Sequence, residues 1–368
     1  MPSRVYELDV LRAVSAVAVV LIHVTATPMV TLPVDSPSFF ATSLVNQWSR
    51  FSIPAFVLIT GVVLYHQYGR QAAGDGGQST FDTRRYLYRR FQAIGVPYLV
   101  WTALYLLFRA PIEGSWAQLP ANLVTAAIQG TAMYQLYYIV LVFQFYLLFP
   151  LIRGLGSSRR LGWIVAAALL VQGVLMWDTF YGLFTNQIST PWLVGLLRFR
   201  DRLFPWWIGY FAVGAWIAAN LRTVLAATRR LLWPLTGVAA ALLAWMMAEY
   251  MGLMAQGGSV GFAASGFRPT AYLYSLAAVF ALLGLGGWVT ERDNRLSRLL
   301  LSLANHSFGI FLVHPLVLEV VLRLLRPVSL SPAPYLLLVS TAVLIGSYWL
   351  SRGIAALPFG HWVVGRKR

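Results

Sequence analysis

The stretch Val10-Leu-Arg12-Ala-Val-Ser-Ala-Val-Ala-Val-Val-Leu-Ile-His23 is almost wholly apolar, yet it carries a guanidinium and an imidazole eleven residues apart. On an α-helix that separation is three turns plus about 20°, so both side chains leave the same face, about 16 Å apart along the axis. In a bilayer each group costs several kcal/mol to bury without partners, and an intramembrane ionisable residue marks function by default. Whether this helix lies in a membrane therefore decides what the chain is.

The surrounding composition says that it does. Hydrophobic residues make up 58% of the chain and charged ones 11%, about half the charged share of a soluble domain. Runs long enough to cross about 30 Å of hydrocarbon recur at 10–29, 44–67, 86–108, 132–152, 161–180, 203–220, 231–252, 270–290, 300–323 and 333–357. They predict an all-α polytopic membrane protein of ten helices. A single domain over residues 1–368 is expected, with no stretch between spans long enough for a soluble domain. Arg12 interrupts the first apolar core and no small-residue cleavage site follows, so this segment reads as a retained helix and not as a signal peptide. The absence of cysteine excludes a disulfide framework, a thiolate nucleophile and a thiolate metal site.

The net charge of +16 comes from 28 Lys and Arg, of which one, Lys367, is lysine. The arginines cluster between apolar runs, a topology signal before it is a partner signal, and no nucleic-acid partner is expected. With the N-terminus in the cytoplasm, 18 basic residues fall inside, including Arg84, Arg85, Arg89, Arg90, Arg229, Arg230 and the tail from Arg366. Seven fall outside, among them Arg198, Arg200, Arg202 and Arg268, and Arg12, Arg50 and Arg352 lie within segments. That split predicts both termini on the cytoplasmic side. The short sixth segment and the Arg198–Arg202 cluster are its weakest points, and the cluster suits an interfacial or re-entrant element. Tryptophans including Trp206, Trp207, Trp233 and Trp349 lie near segment ends, as aromatic belts do. Residues 69–80 form a Gly-rich connection, and Asp82 is placed to cap the basic helix that follows.

In the functional reading a cytoplasm-facing Arg12 binds an anionic donor while His23 acts as a base deeper in the same cavity; in the bland one Arg12 reaches lipid phosphate and His23 is a packing residue. The second segment adds Arg50, with Pro54 and Gly61 to open its helix; it either holds an acceptor or pairs with Asp178 or Glu249. Arg84, Arg85, Arg89 and Arg90 form a basic stripe suited to nucleotide phosphate or to anionic lipid. His306 and His314 are eight residues apart, about 80° off a common face, a poor metal pair. Pro315 frees a carbonyl beside His314, which suits a cavity lining. His306, His66 and His361 read as structural, and Glu319, Glu249 and Asp178 as solvated end residues. No Walker sequence, HExxH helix, run of gating arginines or internal repeat is present, which disfavours an energy-coupled pump and an inverted-repeat transporter.

Taken together, five stretches resemble the integral-membrane acyltransferase-3 family, whose members O-acylate carbohydrates and some lipids at the bacterial envelope. They are Leu8-Asp9-Val10-Leu11-Arg12 followed by His23; Ser49-Arg50-Phe-Ser-Ile-Pro54 through Thr60-Gly61; and Tyr86-Leu-Tyr-Arg89-Arg90-Phe with Pro97-Tyr98-Leu-Val-Trp101. The others are Tyr137-Tyr138 with Tyr146-Leu-Leu-Phe-Pro150-Leu, and Ser307-Phe308-Gly309-Ile-Phe-Leu-Val-His314-Pro315. They run in order along nearly the whole chain. The resemblance implies ten core helices, a cytoplasmic acyl-CoA donor (most often acetyl-CoA), an acceptor from the outer side, and His23 as the central catalytic group. It also implies Arg12 as partner toward the donor, with Arg89 and Arg90 as coenzyme A phosphate contacts and Arg85 beside them. Thr60-Gly61 stands where the family has Ser-Gly, and the basic approach lacks a clean Arg-x-x-Arg.

The expected function is acyl-CoA-dependent O-acyl transfer, with no metal, to a hydroxyl of an extracytoplasmic sugar, polysaccharide or lipid-linked glycan. Arg50 and His314 are the candidate acceptor contacts, and the expected location is a bacterial cytoplasmic membrane. No esterase-like domain follows the helices, which leaves room for a partner protein or a lipid-linked acceptor. A flippase for a glycan precursor and a scaffold subunit of a polysaccharide synthase are the rival classes, separated from the enzyme by thioester cleavage.

Overall fold

A computed structural model describes residues 4–69, 81–114, 116–157, 160–182, 184–292, 294–328 and 330–365. The Gly-rich connection at 70–80 and the basic tail from Arg366 lie outside the described residues. Those described are overwhelmingly helical, with no strand. The N-terminal half comprises α1 (Tyr6–Thr31), α2 (Pro37–Trp48), α3 (Ser52–Leu64), α4 (Thr83–Arg90), α5 (Val96–Glu113), α6 (Leu119–Gln129), α7 (Tyr137–Ile152), α8 (Leu161–Tyr181) and α9 (Pro191–Leu197). The C-terminal half comprises α10 (Ile208–Ala219), α11 (Leu221–Arg230), α12 (Leu232–Ala255), α13 (Val260–Ala263), α14 (Pro269–Thr290), α15 (Arg295–Leu324), α16 (Pro332–Ala356) and α17 (Gly360–Val364).

Among the described residues nine helical runs are long and apolar enough to cross a membrane, and a tenth if α10 and α11 count as one span. All nine overlap the segments expected from hydropathy. The sixth is the exception. At 12 residues, α10 is about 18 Å long, too short for the hydrocarbon core. The chain then bends by 101° into α11, whose Arg222, Arg229 and Arg230 have no place in hydrocarbon. Almost every side chain of α10 is buried by protein, so its shortness leaves no polar backbone facing lipid.

α1 is the hub, packing against α2, α3, α14, α15 and α16. α3 and α10 approach each other closely. A Cβ built on Gly61 would lie 2.3 Å from the carbonyl oxygen of Phe211, and one on Gly214 would lie 2.2 Å from that of Leu58. Each glycine thus lets one backbone sit against the other, the use small residues have between membrane helices. Gly61 lies within the Thr60-Gly61 pair of the second segment.

The Arg198–Arg202 region is an irregular element of short turns at Arg200–Arg202 and Phe204–Trp206. Gln144 on α7 ties it down, donating to the carbonyl of Arg202 and accepting from the backbone N–H of Phe204 at 3.1 Å. Trp206 and Trp207 are buried in this element, donating to Thr179 and to the carbonyl of Asp201. Buried as they are, these two do not form part of an aromatic belt, whereas Trp233 and Trp349 are exposed. Asp82 caps α4 as expected, accepting from the N–H of Arg85 at 2.9 Å.

Gly214→Val should force α10 off α3 and cost about 1–3 kcal/mol of packing, seen as a lower melting temperature in detergent. A Gly214→Val variant that melts with the wild type would show that the two backbones do not touch in this way.

Candidate functional site

Arg12 is anchored from within its own helix. Its Nη1 lies 2.9 Å from Asp9 Oδ1, and the other oxygen of that buried carboxylate receives Arg4 Nε at 2.5 Å. Arg4 also donates to Asn305 on α15 at 3.1 Å. One carboxylate therefore serves two guanidinium groups, and the cluster keeps a net positive charge. Asp9 and Arg12 meet because residues three apart are neighbours on a helix. The pairing was visible in the sequence, yet Asp9 entered its reading only as part of a motif.

Arg12 lines a cavity of about 190 Å³ together with Arg90, Thr60, Tyr138, Tyr146 and Ser307. Arg90 donates to Gln67 Oε1 at 2.8 Å and to the Tyr68 hydroxyl at 3.2 Å. Its guanidinium also lies 5.5–5.7 Å from the ring centres of Tyr68, Tyr86 and Tyr146. Such faces attract a cation without neutralising it, and no carboxylate among the described residues pairs with Arg90. Wide π-helical turns at Tyr65–Gly69 and Phe91–Gly95 adjoin the cavity, a local geometry often found at functional positions. The cavity is therefore cationic and apolar at once, suited to an anion with an apolar arm. Arg84, Arg85 and Arg89 stay exposed on α4. Of the basic stripe, only Arg90 reaches the cavity.

The single cavity expected for Arg12 and His23 is corrected, since the two lie about three helical turns apart: His23 borders a different cavity, of about 390 Å³, further along α1, with Thr27, Thr31, Arg326 and Tyr335. The His23 ring forms a triangle with Tyr134, with centroids 4.1 Å apart, and His314, at 5.3 Å and 25° from parallel, those two being 6.3 Å from each other. His314 is fully buried. Its Nδ1 lies 2.9 Å from the carbonyl oxygen of Phe311 and 3.2 Å from that of Ile310, and its Nε2 has no partner. Aromatic rings wall the Arg12 cavity, and one of them, Phe311, lies 6.2 Å from His314. Tyr138 packs against Phe56 at 6.1 Å and Phe311 at 5.6 Å, and all three line the Arg12 side.

Arg50 lines neither cavity, and it pairs with neither carboxylate considered for it. Asp178 is taken by the loop after α8, accepting from the N–H groups of Phe184 at 2.6 Å and Thr185 at 3.1 Å. Glu249 is taken by Arg268 at 3.3 Å and by the Thr270 hydroxyl. Neither is a merely solvated end residue. Arg50 instead donates to Asn46 Oδ1 at 2.8 Å, while Asn46 Nδ2 donates to Thr25 Oγ1 at 2.8 Å and to the carbonyl of Ile22 at 3.1 Å. Next to it, Gln47 accepts from Arg268. Asn46 thus joins Arg50 to the α1 backbone one residue before His23.

The sequence reading missed this network. Arg268, counted there among outer-loop charges, is fully buried, and its partners are far away in the chain. The adjacent amides Asn46 and Gln47 in an apolar run were the available signal. His306 packs edge-on against Tyr348 at 5.4 Å, and His66 and His361 line neither cavity. The spacing Gly257-Gly-Ser259-Val-Gly261 matches that of a hydrolase nucleophile elbow. Ser259, however, is exposed, and its hydroxyl caps α13 by accepting from the N–H of Phe262. Among the described residues no group of three or more His, Asp or Glu is placed to hold a metal ion.

The family model described as "Acyltransferase domain", of the acyltransferase-3 family, matches residues 5–352. The chain belongs to the acyltransferase-3 family. It is similar, at 24% identity over 384 aligned positions, to the protein called "Putative membrane-bound acyltransferase YfiQ" of Bacillus subtilis (strain 168). The alignment covers 99% of this chain and 95% of that protein. No solved structure matches it. Family membership and the apolar helices together make this acyltransferase-3 protein a multi-pass integral membrane enzyme that transfers acyl groups.

Asn46→Ala removes the acceptor that Arg50 uses among the described residues, and orphaning a partly buried charged group should cost about 1–3 kcal/mol. Thermal melting in detergent is expected to show the loss, with Asn46→Asp closer to wild type. Equal melting of all three proteins would mean that Asn46 does not hold Arg50.

Proposed function

We propose that this acyltransferase moves an acyl group, most often acetyl in similar proteins, from acyl-CoA on the cytoplasmic side to a hydroxyl on the extracytoplasmic side of a bacterial cytoplasmic membrane. The acceptor is a sugar, a polysaccharide or a lipid-linked glycan. One observation carries this reading: two cavities lie toward opposite ends of α1, one bearing Arg12 and Arg90, the other His23 against His314. An acyl-CoA is anionic at its nucleotide end and apolar along its arm, which suits the first cavity. A sugar hydroxyl is a poor nucleophile until a base relieves it of its proton, which suits the second. The arginine distribution supports the orientation, with both termini and the Arg12 cavity on the cytoplasmic side.

In this reading Arg12 and Arg90 hold donor phosphate or offset charge developing on the thioester oxygen. Arg85 and Arg89, exposed beside Arg90, add phosphate contacts at the cytoplasmic surface. His23 either deprotonates the acceptor hydroxyl or takes the acyl group before handing it on. His314 and Arg50 contact or steady the acceptor. The whole of residues 1–368 acts as one transmembrane catalytic domain.

The test is free-thiol release from acetyl-CoA by purified protein with extracted envelope glycan, for wild type and folded His23→Ala. Release by the wild type that falls roughly 10²–10⁴-fold in the variant is expected. Unchanged turnover in the variant would remove His23 from the chemistry. Unaltered glycan crossing proteoliposome membranes, with no thiol released from several acyl-CoAs, would make the protein a flippase instead.

A further inference from the structure

Pro315 fixes the proton on its neighbour. In a regular helix the N–H of residue 315 would bond the carbonyl of Phe311, and proline has no N–H to give. His314 fills that vacancy, with Nδ1 2.9 Å from the Phe311 oxygen and 3.2 Å from that of Ile310. Carbonyl oxygens only accept, so Nδ1 carries the hydrogen, and in the neutral ring Nε2 carries the lone pair. That lone pair is buried and has no partner, which costs free energy unless something arrives to use it. His23, 5.3 Å away, makes no hydrogen bond to any described residue that would set its own tautomer. A working base is normally oriented by a third group, and of these two rings only His314 has one.

We propose, building on the acyl-transfer reading above, that His314 is the base that accepts the proton of the acceptor hydroxyl. The acceptor O–H bond breaks as its proton passes to His314 Nε2, and the oxygen forms the ester bond to the acyl carbon. The bond from that carbon to its carrier atom, thioester sulfur or His23 nitrogen, breaks with its electron pair left on the carrier. The proton then passes from His314 to that atom, and both rings are neutral for the next turnover. His23 is left to meet the acyl group, and Pro315 is a positioning residue acting through the His314 tautomer.

The experiment compares wild type, His314→Gln and Pro315→Ala with acetyl-CoA and two probes, extracted envelope glycan and hydroxylamine. Hydroxylamine attacks acyl groups without first giving up a proton, so it needs no base. His314→Gln should lose roughly 10²–10⁴-fold in glycan acylation, with a loss on hydroxylamine at least roughly tenfold smaller. Pro315→Ala restores an N–H to the Phe311 carbonyl and frees Nδ1, so glycan acylation should fall severalfold at an unchanged melting temperature. Equal losses on both probes would make His314 a structural or donor-side residue and overturn the assignment, as would undiminished glycan acylation. A wild type that releases thiol with neither probe would instead sink the acyl-transfer reading, and the base with it.

Discussion

An arginine and a histidine on one apolar helix must both be kept out of lipid, and the architecture follows from that constraint. Leaving either against hydrocarbon costs several kcal/mol, so α1 is enclosed by α2, α3, α14, α15 and α16. Enclosure alone is insufficient, because buried ions need partners. Asp9 supplies one for Arg12, and the carboxylate is shared with Arg4. The amide of Asn46 does the corresponding work near His23, satisfying the α1 carbonyl of Ile22 while accepting from Arg50. The close seating of α3 on α10 through Gly61 and Gly214 then brings the walls together.

Charge is left uncompensated in a patterned way. Among the described residues, Arg268 is fully buried and has a carboxylate in Glu249, whereas Arg90 is met by tyrosine faces, a hydroxyl and an amide, with no carboxylate. A guanidinium held by rings keeps its charge and its spare donors. Retaining such a group beside a cavity makes sense where an anion comes and goes, and a permanent carboxylate there would compete with it. The difference separates an arginine whose carboxylate partner ties helices together from one held by rings beside a cavity.

The spans were legible because length and hydropathy are local properties, and the doubtful sixth segment proved to be the short, bent one. The face shared by Arg12 and His23 followed from helical spacing. Separation of those two residues into different cavities did not, because the walls of the Arg12 cavity, Phe56, Tyr138 and Phe311 among them, come from helices distant in sequence. The basic stripe was half legible: Arg85 and Arg89 share a face at i and i+4, while Arg90 is turned about 100° from Arg89, and it alone reaches the cavity. The Gln47–Arg268 contact spans 221 positions. No local pattern encodes such a pair, and Arg268 next to Pro269 resembled an ordinary loop cation.

The aromatic lining of the Arg12 cavity has a consequence for the membrane itself. Cavities strung along one helix are a hazard to a membrane that holds a voltage, since each charge moved through 100 mV dissipates about 2.3 kcal/mol. Phe56, Tyr138 and Phe311 wall the Arg12 cavity with packed rings. A hydrated ion would have to shed its water to pass them, a cost that a small neutral acyl group does not face. The same three side chains that shape the Arg12 cavity would therefore also serve as electrical insulation.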